Sequence, residues 1–514
     1  MKAFQLRLLL PALAAVTLVS LGVPREAAAQ RVTMSEARAA AENYVSYVLQ
    51  TEGVWGRSRD ARVTSVQEFR RGDRVLGYYC PVDPEGYLIL SLYKDLAPIR
   101  AYAGTGSIDP QGDHGTVDIL KTRLTLVDDA IARRLGRPIE AGDDLRSVLD
   151  VSYRDAWALM TSPSFDASAY PGRRDTRGAG MDYQEGDSLL TTTWNQDPPY
   201  NDDIPSLGCD WGACGTYNGQ TNERAYVGCV ATALAQLVKH WEWPPARFDW
   251  PNMLDTYICI GDGTFEDGTG HVATPAEITA VADISYHCAR DVDMDYGCDG
   301  SSAYLEDCEP ALEGDYSFDS GCQVKYRDDY TTRNWFDKLK DECNRNRPVG
   351  YGIPGHMIVI DGWREEGPYA ADYLVHVVYG WNGSNDGWWS VDAIPEGGPD
   401  EEAIVCQIRP IGSLGEAIDG TYYYLQGSGN YFYFNRDTAG DNVTFQAGLN
   451  LQILKSGFLL ANNGTLSTDA ITFESLADRP TRLFIHGNPG EDVHVRATDG
   501  GTIKVLAGGQ LAVY

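Results

Sequence analysis

The spacing of hydrophobic and polar positions changes several times along the chain, and each change marks a segment. Residues 8–23 form an apolar run behind Lys2 and Arg7 and ahead of Ala27, Ala28 and Ala29. This is the layout of an export signal over residues 1–29, and Pro11 with the early stop of the run argues against an uncleaved anchor. Between Ser35 and Leu49, alanines and valines recur at helical spacing behind a Ser35 cap, and residues 86–99 then alternate as a strand and turn. Residues 162–186 are rich in Gly, Ser, Asp and Arg and lack apolar periodicity, a linker composition open to proteolysis.

From Leu189 to about Pro410 the texture is that of a packed domain. Val230, Leu234, Leu237, Val238 and Trp241 share one face of a helix that starts at Cys229 and ends before Pro244 and Pro245. Residues 355–362 read as a β-branched strand bounded by glycines, with His356 at its start. After Gly412, short alternating runs separated by Gly, Asn and Asp predict an all-β unit, and faint repetition at 451–457 and 501–508 suits a sandwich and a small β-solenoid equally. The expected organisation is a signal at 1–29, an α+β unit at 30–185, a central domain at 186–411 and a β-rich unit at 412–514.

Charge and cysteine content narrow the partners. A net charge of −31 repels phosphate backbones and anionic membrane surfaces, so nucleic acid is not an expected partner, and no segment after the signal could span a bilayer. Eleven cysteines suit an oxidising exterior, and ten of them lie between Cys209 and Cys406, so disulfides are expected in the middle of the chain. An odd count leaves at least one thiol. The acidic clusters at 261–270 and 291–295 lack the alternating Asp/Asn pattern and closing Glu of a calcium loop, so no metal is expected.

Cys229 is the cysteine best placed for chemistry. The unsatisfied N–H groups and positive dipole end at a helix start favour a thiolate, the reactive form. Taken alone it reads as a buried or disulfide-bonded residue capping an ordinary amphipathic helix. A thiol nucleophile needs a base, and His356, next to a glycine that leaves room for a substrate backbone, is the candidate.

Five stretches, in order, resemble the streptopain family of papain-like cysteine peptidases. They are Trp194-Asn195-Gln196 with Pro199-Tyr200-Asn201; residues 228–241 with Pro244; residues 292–297; residues 355–362; and Gly380-Trp381 with Asp386-Gly387. Residues 86–108 look like part of that family's inhibitory propeptide. The resemblance implies an α+β papain-like core, helices on one side of a cleft and an antiparallel sheet on the other. It implies a secreted zymogen that cleaves protein or peptide substrates, with residues 30–185 as its own intramolecular inhibitor and no cofactor. Cys229 would be the nucleophile, His356 the general base and acid, and Gln196 an oxyanion donor acting with the Cys229 N–H.

The sequence departs from that pattern in a short passage from Pro348 to Gly355, which leaves less loop before His356, and at Val378, which stands where such enzymes commonly carry Asn, with Tyr379 where they carry Trp. The imidazole would then be held by packing of Tyr379 or Trp381, by a backbone carbonyl, or by Asn382 or Asn385. Two rival readings keep the same residues. One is a secreted binding or adhesion protein on a degenerate peptidase scaffold, with the C-terminal unit as a surface attachment. The other is acyl transfer to an amine.

Overall fold

The computed structural model describes residues 31–140, 143–169, 185–217, 220–244, 247–261, 263–365, 373–391 and 402–409, and the backbone of eight strands between 421 and 513. The export signal and most of the linker expected at 162–186 lie outside these residues.

Helix α1 (Met34–Glu52) starts two residues earlier than a Ser35 cap predicts. Its cap is Thr33 rather than Ser35, because Thr33 and Glu36 satisfy each other's backbone N–H in a capping box. Ala37, Ala40, Ala41, Tyr44, Val45 and Val48 form its buried face. They pack on a curled sheet of β1 (Arg62–Val63), β2 (Gln67–Arg71), β3 (Arg74–Asp83), β4 (Tyr87–Ser91) and β5 (Ile99–Ala103). Both faces of β4 and β5 are buried, since α2 (Gly115–Leu135) covers the side opposite α1. A short α3 (Arg154–Met160) packs beside α1.

The central segment contributes α4 (Cys229–Trp241), α5 (Pro275–Asp291), β6 (Gln323–Tyr326), α6 (Thr332–Asn344), β7 (Val349–Ile353), β8 (His356–Arg364), β9 (Leu374–Val378), β10 (Gly387–Ser390) and β11 (Ala403–Cys406). Its strands do not form a sheet of their own. They continue the N-terminal one in the order β1-β3-β4-β5-β10-β9-β8-β7-β11-β6, with β2 beside β3, and every neighbouring pair is antiparallel. The joint is β5 with β10, where Ala101 pairs with Trp389 and Tyr102 with Trp388.

Side chains alternate across this sheet, so each strand feeds two cores. Met357, Val359 and Val378 face α4 and α5, whereas Ile358, Ile360, Val377, Tyr379 and Trp389 face α6 together with α2. Helices therefore cover both faces, one layer more than the two-sided cleft predicted from sequence. Arg123 of α2 ties the halves together: its guanidinium lies 4.7 Å from the Trp389 ring centre and donates to Ser390 O at 2.7 Å. Asp150 accepts from the first N–H of α6, at Thr332, across 2.7 Å.

Two disulfides, Cys209–Cys298 and Cys214–Cys259, lie in the middle of the chain as the cysteine distribution predicts, and seven cysteines are free. No helix among the described residues is long and apolar enough to cross a membrane. In the C-terminal unit β12 (Thr421–Tyr423) and β13 (Phe434–Arg436) pair antiparallel. The next six strands are β14 (Asn450–Ile453), β15 (Phe458–Ala461), β16 (Thr465–Phe473), β17 (Arg482–His486), β18 (His494–Val505) and β19 (Gln510–Val513). They form two parallel sheets, β14-β16-β18 and β15-β17-β19, so the chain feeds them by turns, which is the strand pairing of a solenoid rather than a sandwich.

Candidate active site

Cys229 is the first residue of α4, as the sequence predicts, and it is half-buried. The residue before it, Gly228, has φ +92°, and a Cβ there would lie 2.6 Å from Met294 Sδ. Only glycine fits that position, so the chain can turn sharply into the helix against residues 292–297. The same motif fixes the approach to the turn, because Tyr226 N donates to Gly297 O at 3.2 Å and Ser301 Oγ to Tyr226 O at 2.7 Å. Burial pushes the Cys229 thiol above its ordinary value, and the N–H groups of Met357, Val230 and Cys229 itself offset this only in part. The helix start alone does not make a thiolate here.

Met357 follows His356, so the thiol faces the first residues of β8. His356 opens that strand directly after the β7–β8 turn, where Ile353 pairs with it and Gly355 takes φ +76°. Its Nε2 lies 2.9 Å from Tyr379 O. A carbonyl only accepts, so Nε2 carries the proton and Nδ1 keeps its lone pair. Trp381 covers the ring at 4.6 Å between centres and 33° between planes. Burial pushes the imidazole pKa down to about 4, against the opposing pull of the Tyr379 carbonyl, so the ring is neutral at physiological pH.

Residues 194–389 match the Peptidase C10 family, a span that encloses Cys229, His356, Tyr379 and Trp381. Over that span the chain is similar to the Peptidase C10 family. The resemblance read from the sequence and the α+β class are borne out, and residues 194–389 are a cysteine-type peptidase domain. Among known proteins the chain is similar to the thiol protease/hemagglutinin PrtT of Porphyromonas gingivalis, 26% identical over 210 residues, which are 38% of this chain and 22% of that protein. It is also similar to streptopain of Streptococcus pyogenes, 21% identical over 391 residues, 69% of this chain and 84% of that one. The chain thus spans about a fifth of the first relative's length and most of the second's. Among solved structures, a fragment of Prevotella intermedia prointerpain A aligns with 66% of this chain and 97% of its own at 23% identity and a TM-score of 0.44. Active wild-type interpain A aligns with 45% and 97% at 27% identity and a TM-score of 0.32.

Within the C10 domain, Gln196 is buried and its backbone is tied to the loop ahead of Cys229, since Val227 N donates to Gln196 O at 2.9 Å. The segment that carries it is clamped to α4 by Gln236, whose Oε1 accepts from Thr192 Oγ1 at 3.1 Å and from Trp194 N at 3.2 Å. Gln236 is, with Thr232 one turn earlier, a polar residue buried on a mostly apolar helix, and that misfit in the hydrophobic pattern is the signal by which sequence reading could have found it.

Several ways of holding the imidazole were open in the sequence, and the geometry separates them. Val378 is buried in the core shared with α4. Asn382 is committed to the 254–257 loop, accepting from Thr256 Oγ1 at 3.2 Å and donating to Tyr257 O at 3.3 Å. Asn385 donates to Thr116 Oγ1 of α2 at 3.3 Å. The Tyr379 carbonyl and the Trp381 ring are what meet His356. Tyr379 also stacks on Trp381, 5.5 Å and 6° apart, and accepts from Trp389 Nε1 at 2.8 Å.

Proposed function

We propose that this chain is a cysteine endopeptidase, exported as a zymogen, with Cys229 as nucleophile, His356 as general base and acid, and Gln196 as an oxyanion donor. The observation that carries this reading is the His356 Nε2 hydrogen bond to Tyr379 O, which sets the imidazole tautomer with a bare Nδ1. That nitrogen takes the Cys229 proton, and the thiolate attacks the scissile carbonyl carbon. The Cys229 N–H and the Gln196 amide receive the developing oxyanion. The imidazolium then protonates the leaving amine as the C–N bond breaks. Water, deprotonated by His356, hydrolyses the thioester and restores the thiol. The reaction calls for no metal or organic cofactor.

Residues 30–185 are the intramolecular inhibitor in this reading. Support comes from the sheet they share with the C10 domain and from Tyr87, which packs in one core with Tyr379, the residue that holds His356. Export follows from residues 1–29, with protein or peptide chains as substrates, and residues 412–514 are a non-catalytic accessory unit.

The test is to incubate the secreted chain with a denatured protein, wild type beside Cys229→Ser, reading peptide release and the N-terminus of the processed chain. Release by wild type alone, with a new N-terminus within residues 173–186, is the expected result. A folded wild type that does neither overturns the reading in favour of a binding scaffold.

A further inference from the structure

We propose that Asp386 is a positioning residue of this peptidase: it holds the main chain of Tyr379 so that the Tyr379 carbonyl orients His356. The inference rests on the reading above. Strands β9 and β10 are joined by residues 379–386, and this loop presents both groups that touch the imidazole, the Tyr379 carbonyl and the Trp381 ring. The loop turns at Gly380, where φ is +74°, and at Gly383, where φ is +71°. Its ends are joined by one side chain, as Tyr379 N donates to Asp386 Oδ1 across 2.9 Å. Beyond Asp386 the chain enters β10, where Gly387 pairs with Val377 and lies so close to β5 that a Cβ on it would come 2.2 Å from Tyr102 O. Asp386 therefore hands the rigid register of β10 to the carbonyl that takes the place of an orienting amide.

The side chain acts at a distance. His356 touches Tyr379 and Trp381, and the carboxyl group sits on the other end of the loop, at a cavity of about 250 Å³ whose lining includes Glu52, Trp55, Tyr102, Arg364 and His376. That space accommodates a longer or shorter residue at 386 without a steric clash from the N-terminal unit. Either protonation state of the carboxyl leaves an oxygen to accept the Tyr379 N–H, and so does the amide of asparagine.

The test compares Asp386→Ala, Asp386→Asn and Asp386→Glu in the full chain, reading kcat and KM after self-processing and the rate of Cys229 alkylation by iodoacetamide, located by peptide mapping. Asp386→Ala should lower kcat by about 10- to 100-fold, the scale of a misplaced reacting group, with KM held. Asp386→Asn should recover most of that loss, and Asp386→Glu, which moves the acceptor by one methylene, should not. Alkylation should slow in the same order. A purely structural role would lower the melting temperature of all three and leave kcat of the folded fraction alone. A folded Asp386→Ala with wild-type kcat overturns the proposal; if that variant does not fold, wild-type kcat in Asp386→Glu does so instead. Should wild type itself cleave nothing, the peptidase reading fails, and the alkylation series alone decides the positioning role.

Discussion

His356 Nε2 donates to the main-chain oxygen of Tyr379 across 2.9 Å, so the imidazole is held by backbone, next to a valine at 378 that offers no amide. No substitution deletes that acceptor. The position of the carbonyl depends on what packs the 379–386 loop, and the first consequence concerns the residue beside it.

Replacing Val378 by asparagine will not restore an orienting amide. Val378 points into the core with Val359 and α4, away from the face that carries Tyr379. An unpartnered amide there costs about 1–3 kcal/mol. The expected outcome for Val378→Asn is a lower urea midpoint with no gain in kcat, and a faster enzyme of unchanged stability would mean that the imidazole turns to the side chain at 378 after all.

Trp381 bears on the rate more than on the fold. It is half-buried, stacked on Tyr379 and tilted against His356. An aromatic pair of this kind contributes about 0.5–1.5 kcal/mol, so Trp381→Ala should lower kcat by about two- to tenfold, and Trp381→Phe should retain most of it. Steady-state rates with a peptide substrate check this, and an unchanged kcat in Trp381→Ala would leave the carbonyl as the sole support of the ring.

The helix that begins at Cys229 was legible because its apolar period is strong and its ends are marked, and the His356 strand because β-branched residues sit between glycines. The two ordered motifs around them, at 194–201 and 292–297, pack against the Cys229 loop. Other features were not legible for physical reasons. A main-chain carbonyl has no letter in the sequence, so the partner of His356 could be only one of several possibilities. The continuous sheet depends on the pairing of Trp389 with Ala101, 288 positions apart by their numbering, and each strand alone looks like an ordinary buried one. Thr33 outcompeted Ser35 as a cap because the capping box needs Glu36 three residues on. The solenoid pairing arises between strands whose individual patterns are short and similar.

Gly228 carries a conformational demand and a steric one, and a double substitution separates them. A side chain at φ +92° is strained by about 1–3 kcal/mol, and its Cβ meets Met294 Sδ at 2.6 Å and Cε at 2.7 Å. Gly228→Ala should therefore lose stability and slow alkylation of Cys229, the next residue. Adding Met294→Ala opens the space without changing φ, so the double variant should regain part of the loss measured for Gly228→Ala. Full recovery would assign the whole effect to the clash, and no recovery would assign it to the backbone.

Asp386 also makes a stability prediction with a definite sign. Burial pushes its pKa up from 3.8 to about 7, against the Tyr379 N–H and His376, so the folded chain holds a proton that the unfolded chain releases. Its contribution is present at low pH and is lost as pH rises from about 4 to 7. His376 runs the same way: burial lowers it, but the charge and hydrogen bond of Asp361, 2.6 Å from its Nδ1, carry it above the ordinary imidazole value, so its contribution is also lost on raising pH. Asp128, Asp197 and Asp202, each pushed up by burial to about 6, add a fall common to wild type and variants. Asp386→Asn keeps the acceptor and removes one titrating group, so its urea midpoint should fall less than that of wild type between pH 5 and pH 8. The slope difference is at most about 1.4 kcal/mol per pH unit for one proton. Parallel lines for the two proteins would mean that Asp386 is ionised throughout, and that its hold on Tyr379 comes from a full carboxylate at every pH in the range.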